Sequence, residues 1–257
     1  MSAERRDIVL LAASSPRTNI VYNYLSAVYG PFPVILEKRQ PRKQLLKRRM
    51  RRLGWHRALS QATFSALVSP AVARLSRPRI RAIVNAESLD TTPIPESQVH
   101  HVPSVNDAAT MALLQNFRPA VVVVNGTRII ERSILEALSA YFFNIHMGIT
   151  PRYRGAHGAY WARWEDNEVD CGVTVHRVDP GVDTGSIFAQ ARVAPEKGDT
   201  IITYPYLQMA AALPGVKAAV SAGLAGSCST YEAVGASALW HNPTVGEYLR
   251  GLLRGIK

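Results

Sequence analysis

Ala120-Val-Val-Val-Val124 runs directly into Asn125-Gly126-Thr127-Arg128-Ile129-Ile130, and Tyr141-Phe-Phe-Asn-Ile-His146 follows after a stretch of helical spacing from Ile130 to Leu138. An unbroken β-branched run of this length reads as a central strand of a parallel sheet, buried on both faces. Tyr141–His146 reads as the next strand. Outward from this centre the alternation of strand and helix continues. Val105 to Asn116 reads as a helix, Ile80 to Val84 and Phe32 to Leu36 as strands, and Asp7-Ile-Val-Leu-Leu-Ala12 as a short buried strand. Ser15 and Pro16 then stand as N-cap and first helical residue of a helix reaching about Val28. After Cys171 the pattern changes. Gly172–Val178 and Ile187–Val193 alternate as antiparallel strands do, and an Ala-rich helix runs from Thr200 to about Gly223. The expected fold is α/β: an open, mostly parallel, Rossmann-like sheet, with antiparallel strands toward the C-terminal part and a basic helical insertion over about 38–78. A single domain over 1–257 is expected, with a C-terminal helix and tail over about 200–257.

Composition narrows the class. Hydrophobic residues make up 47% and charged residues 19% of the chain, which fits a globular protein and excludes a disordered one. The two cysteines, Cys171 and Cys228, cannot by themselves build a disulfide framework or a tetrahedral zinc site, so no metal is expected. No apolar run approaches the roughly 20 residues of a membrane helix, and Ile8–Ala13 is too short for a signal peptide, so a cytoplasmic location is expected.

The net charge of +11 is unevenly placed. Ten basic residues (Lys38, Arg39, Arg42, Lys43, Lys47, Arg48, Arg49, Arg51, Arg52 and Arg57) stand together with no acid among them, and without them the chain carries 20 basic against 19 acidic residues. Leu45, Leu46, Met50 and Leu53 recur among them at helical spacing. Four readings are open for this segment: a solvated helical face packed on the core, a contact with nucleic acid phosphates, a contact with an anionic membrane surface, or attraction of a nucleotide-linked substrate.

Chemistry centres on Asn144-Ile145-His146. Side chains alternate along a strand, so the amide and the imidazole point to one face, at the carboxyl end where open α/β sheets bind ligands. An amide and an imidazole together suit oxyanion stabilisation and proton handling near neutral pH. Thr150-Pro-Arg-Tyr-Arg-Gly155 follows as a turn-rich loop. Asp179-Pro-Gly-Val-Asp-Thr-Gly185 adds carboxylates between two strands, although the same residues also make an ordinary hairpin turn. His176 lies mid-strand and reads as structural.

Asn144-Ile-His146, Pro151-Arg-Tyr-Arg-Gly155, Gly172-Val-Thr-Val-His-Arg-Val-Asp179 and Gly181-Val-Asp-Thr-Gly185, in this order and spacing, resemble the N10-formyltetrahydrofolate-dependent formyltransferases. That family includes glycinamide ribonucleotide transformylase, methionyl-tRNA formyltransferase and the sugar N-formyltransferases. The resemblance is strong from about Pro119 to Thr200 and weak in the first hundred residues and the tail. It implies a catalytic trio of Asn144, His146 and Asp183. Asn144 and a protonated His146 would donate to the oxyanion, and Asp183 would raise the pKa of His146. It implies N10-formyltetrahydrofolate as formyl donor, held by Gly126, Thr127, Arg128, Ile129 and Ile130 and by Asp179, Gly181 and Val182. Acceptor contacts are expected from Arg17, Asn19, Arg152, Tyr153, Arg154 and His157.

The acceptor is expected to be a small anionic amine, a nucleotide-linked amino sugar first. Two departures from the family favour it. The turn Ala13–Asn19 has no glycine to admit a phosphate, unlike the ribonucleotide enzymes, and about 57 residues follow Thr200 where the tRNA enzymes carry a C-terminal barrel. Glycinamide ribonucleotide, methionyl-tRNA, water as acceptor, and a catalytically silent binding module are the alternatives. Oligomeric state is not legible.

Overall fold

The computed structural model describes residues 7–257, apart from the side chains of Arg42, Leu45 and Arg48. Seven strands form the main sheet: β1 (Ile8–Ala13), β2 (Val34–Glu37), β3 (Val99–Val102), β4 (Val121–Asn125), β5 (Tyr141–His146), β7 (Gly172–Arg177) and β8 (Ile187–Arg192), in the order β3-β2-β1-β4-β5-β7-β8. The first five are parallel, and β7 and β8 close the far edge antiparallel. A second, two-stranded sheet joins β6 (Arg154–Gly155) to β9 (Leu239–Trp240). Helices α1 (Pro16–Tyr29), α2 (Arg42–Leu53), α3 (Trp55–Thr63), α4 (Ser69–Leu75), α5 (Arg77–Ala86), α6 (Ala108–Phe117), α7 (Arg132–Glu136), α8 (Gly158–Trp164), α9 (Tyr204–Leu224) and α10 (Val245–Leu253) complete the fold.

The strand period of two sorts the core into two layers. Ile8, Leu10, Val121, Val123, Phe143, Ile145, Val173 and Val175 face α1 and α9. Val9, Leu11, Val122, Val124 and Phe142 face the side of α6 and α7. Central strands buried on both faces have no polar alternation, which is why β1 and β4 read so plainly from sequence. The start of α1 follows expectation: the Ser15 hydroxyl accepts from the Thr18 N–H, and Pro16 opens the helix.

Two elements differ from the sequence reading. Ile80–Val84 is not a strand. It lies inside α5, where Pro78 occupies the first turn, and Ile80, Ile83 and Val84 fall on one helical face with Ile83 buried. The strand at that end of the sheet is instead β3, Val99-His-His-Val102, an edge strand whose polar middle gives no apolar run to detect.

The long helix α9 is, by length and composition, apolar enough to cross a membrane, contrary to the reading that no segment approaches this. In the fold it lies against β7 and β8, with Met209, Ala212, Val216, Ala219 and Val220 in the core. Its apolar character is thus that of a core helix, and Pro205 sits harmlessly in its first turn.

The basic segment forms α2 and continues into α3, one π-helical turn (Phe64–Val68) and α4. Of its apolar residues, Met50 and Trp55 are exposed, and Leu45 lies outside the described side chains. The insertion is fastened elsewhere: Phe64 is buried beside Tyr160 and Tyr248, and Arg57 pairs with Glu247 of α10 at 2.8 Å. Further along, Arg79 of α5 donates through Nε and Nη2 to the fully buried Asp199.

Candidate active site

Strand parity and register together build the site. Asn144 and His146 leave the end of β5 on one face, and the antiparallel pairing sets Asn144 opposite His176 and His146 opposite Thr174. A β-bulge between Val175 and His176 adjusts the aim of the histidine. Asp183, on the loop from β7 to β8, reaches back over both. Its backbone is left-handed (φ 51°), a conformation that Asp tolerates better than most residues.

The contacts form a closed cluster. The Asn144 amide donates to Asp183 Oδ1 at 3.2 Å and to His176 Nε2 at 3.1 Å. His176 Nδ1 donates to the Arg177 carbonyl at 2.7 Å, which leaves its Nε2 as the acceptor. His146 Nε2 donates to the Tyr153 carbonyl at 2.7 Å, and its Nδ1 lies 3.2 Å from Asp183 Oδ2. The Gly155 N–H donates to the same Oδ2 at 2.9 Å. The expected trio is therefore assembled. His176, read from sequence as structural, is its fourth member. Only the pairing register reveals it, because nothing in the local sequence says which residue β7 sets beside Asn144.

Electrostatics divide the roles. Burial works to raise the Asp183 carboxyl, but the His146 charge, the neighbouring His176 and the Gly155 N–H together hold it down at about 2. It is an anion at neutral pH. Burial pulls His146 below the ordinary imidazole value; Asp183 opposes this without overcoming it. The sequence expectation named the Asp183 effect correctly but omitted the larger desolvation. Nε2 faces the Tyr153 carbonyl and Nδ1 the Asp183 carboxylate, so a proton on either ring nitrogen meets an acceptor.

A cavity of about 470 Å³ opens over the cluster, within the range of small-molecule sites. Gly126 to Ile130, Asp179, Gly181 and Val182 all line it, so both loops expected to hold the folate face the trio. Its walls mix Val124, Ile145 and Ile201 with Asn144, His176 and Asp183, so apolar surface and polar groups converge on one space. The Asp179 loop is held in shape by its own carboxylate, which accepts from the Gly181 N–H and the Thr184 hydroxyl.

The loop from Gly126 hangs on one buried acid. Glu37 accepts from the Arg128 N–H at 2.8 Å, meets Arg128 Nε at 2.6 Å, and also accepts from the Val105 N–H. Arg128 thus anchors its loop as well as lining the cavity. Glu37→Ala would leave the Arg128 charge without its partner. The expected cost is about 3 kcal/mol, at the low end for a buried pair because Arg128 is partly solvated; denaturant unfolding measures it.

The expected acceptor residues separate. Arg17 and His157 line the cavity. Asn19 does not, because its amide is turned to the Thr91 carbonyl. Arg152 is exposed and pairs with Glu165. Tyr153 is fully buried, its hydroxyl donating to Glu165 and accepting from Asn167, and only its carbonyl touches the site. Arg154 donates to the Val182 carbonyl and so joins its own loop to the Asp183 loop. These three are held by partners of their own rather than offered to a ligand. Gly155 accounts for part of the Pro151–Gly155 motif: its φ is 92°, and a Cβ there would lie 2.2 Å from the Trp240 carbonyl oxygen in β9.

His157 is held down to about 4, by burial first and then by the nearby charges of Arg17 and Arg49. The unfolded chain takes up a proton near pH 6.5, whereas the folded ring refuses it until about pH 4. Stability should therefore fall as pH drops from 6.5 toward 4 and level off below. His157→Asn, which tolerates the left-handed φ of 60° at this position, should flatten that slope. The change should be about 2 kcal/mol after allowance for solvent at the half-buried ring, read by urea melts across pH.

The open α/β sheet thus carries an amide, two imidazoles and a carboxylate beneath a ligand-sized cavity. The Formyl transferase family matches residues 56–206, and the chain belongs to that family. Methionyl-tRNA formyltransferase of Chlorobium chlorochromatii is 35% identical over 104 residues, covering 40% of this chain and 33% of that protein. The matched stretch thus spans about a third of that curated relative. Among solved structures, a sugar N-formyltransferase from a Shewanella species superposes with a TM-score of 0.59 at 12% identity, covering 96% of this chain and 87% of that one. Glycinamide ribonucleotide transformylase 1 from Symbiobacterium toebii gives 0.55 at 20% identity, covering 88% and 94%. Both likenesses are of fold.

Proposed function

We propose that the protein transfers a formyl group from N10-formyltetrahydrofolate to a primary amine, that of a nucleotide-linked amino sugar. The observation that carries this reading is the closed Asn144–His146–His176–Asp183 cluster on the floor of the cavity, in a chain of the Formyl transferase family. Sugar N-formyltransferases among the structures of the same fold support the choice of acceptor.

The folate supplies the formyl carbon that the amine attacks. The loops at 126–130 and 179–182 would hold it, with the cavity's apolar walls excluding water. Both amide hydrogens of Asn144 are engaged inside the cluster, so its role as oxyanion donor requires it to exchange Asp183 for the formyl oxygen. His176 keeps the amide oriented during that exchange. The Asp183 carboxylate, in contact with His146 Nδ1, would take the proton the amine loses, and that proton would pass to N10 as the formyl–N10 bond breaks and tetrahydrofolate leaves.

The test is turnover of N10-formyltetrahydrofolate, followed by absorbance, against amino-sugar nucleotides, glycinamide ribonucleotide, methionyl-tRNA and no acceptor. One amino-sugar nucleotide should support turnover, and His146→Ala should lower it by about 100- to 10,000-fold. Turnover equal without acceptor would make the protein a hydrolase. Failure to bind tetrahydrofolate would overturn the reading.

A further inference from the structure

On the formyl-transfer reading two reactants must meet at Asp183, and the fold offers two adjoining cavities. The second, of about 930 Å³, shares Gly126, Thr127, Arg128 and Ile129 with the first as a common wall. Its remaining walls come from the end of β1 at Ala13 and from the basic insertion. Arg39, Lys43 and Arg49 line it, with the small residues Ala62 and Ala66 leaving room beneath them.

Charge in this cavity has one sign to spare. Glu37 is the carboxylate on its lining, and Arg128 already engages it. Among the described residues no ion pair joins Arg39, Lys43 or Arg49 to an acid. The same holds for Arg17 on the first cavity. Arg17 and Arg49 both act electrostatically on His157, so a cation from the lining of each cavity stands near that ring. Arg49 is half-buried, and burial lowers its pKa with no anion to offset the cost. Cations gathered around a concavity without counter-ions concentrate an anionic ligand there.

We infer that the second cavity binds the phosphate-bearing body of the acceptor. Arg39, Lys43 and Arg49 hold its phosphates, and Arg17 guides the amine-bearing end past His157 toward Asp183. The basic segment thereby acquires a task in substrate binding, in place of the nucleic acid or membrane contacts its sequence left open. A polyglutamate tail on the folate carries similar charge and is the competing occupant.

Calorimetric titration of the full chain tests this, with uridine diphosphate as probe beside mono- and pentaglutamyl tetrahydrofolate. Uridine diphosphate should bind, more weakly as salt rises. Arg49→Met and Lys43→Met should each reduce its affinity about tenfold, Arg49→Lys should retain most of it, and monoglutamyl tetrahydrofolate should bind all of them alike. Equal uridine diphosphate binding by wild type and the methionine variants, or none by wild type while tetrahydrofolate binds, overturns the inference and leaves the formyl-transfer reading intact. Loss confined to the pentaglutamyl folate overturns it in favour of the folate tail. Uridine diphosphate binding that depends on Arg49, with no tetrahydrofolate binding at all, upholds the anion site and removes the formyl-transfer reading instead.

Discussion

Asp183→Asn should lower kcat/KM for formyl transfer by about a thousandfold. The substitution is close to isosteric, and Asn accepts the left-handed backbone that Asp183 adopts (φ 51°), so the loop keeps its shape. The amide oxygen can still accept from the Gly155 N–H. What disappears is the charge 3.2 Å from His146 Nδ1 and the carboxylate through which the proton travels. Asp183 is the strongest influence holding the His146 pKa up against burial, so its removal should lower that pKa further. The acidic limb of the kcat/KM profile reports protonation of the base and should move to lower pH in the variant. Loss of rate with an unmoved limb would mean that Asp183 only positions the ring. Activity within tenfold of wild type would remove it from the mechanism.

Gly158→Ala should cost about 3 kcal/mol or more and lower the melting temperature by about 6–10 °C. A helix would ordinarily gain from this change, by up to about 1 kcal/mol. Here a Cβ would stand 2.5 Å from Gly148 Cα and 2.6 Å from the Met147 carbonyl oxygen. Both are backbone atoms of the turn that leaves β5, and the Gly158 N–H donates to that same carbonyl. Neither side can yield as a side chain would. The turn begins at His146, so the ring should lose its alignment and activity should fall with stability. Gly246→Ala in α10, where a Cβ meets nothing within 4 Å, is the control and should be neutral or stabilising. Thermal unfolding of the two variants separates backbone crowding from any general effect of losing a glycine.

The sequence by itself determined the class of fold. β1 and β4 are buried on both faces, and burial of that kind leaves a continuous apolar run that needs no partner to be read. The cap at Ser15 and the antiparallel pair after Cys171 were legible because each is written in local spacing, whereas the trio Asn144, His146 and Asp183 was implied by the resemblance of four motifs to a known family. Edge strand β3 was not legible, since an edge needs little apolar surface and its two histidines hide it. The segment 80–84 misled because Ile and Val serve a helix face as well as a strand, and only packing against the core decides between them.

Tertiary structure decided the rest. The register of β7 on β5 put His176 beside Asn144, a pairing that depends on two segments about thirty residues apart. Depth of burial set the protonation of His146, which no sequence spacing encodes, because desolvation depends on everything packed around the ring. Packing also withdrew Tyr153 into the core while leaving its carbonyl to hold His146, and turned Asn19 and Arg152 toward partners of their own. The ten clustered charges were countable from the first reading. That several of them line a second cavity sharing a wall with the first followed only from the way the insertion folds back over the sheet's carboxyl end.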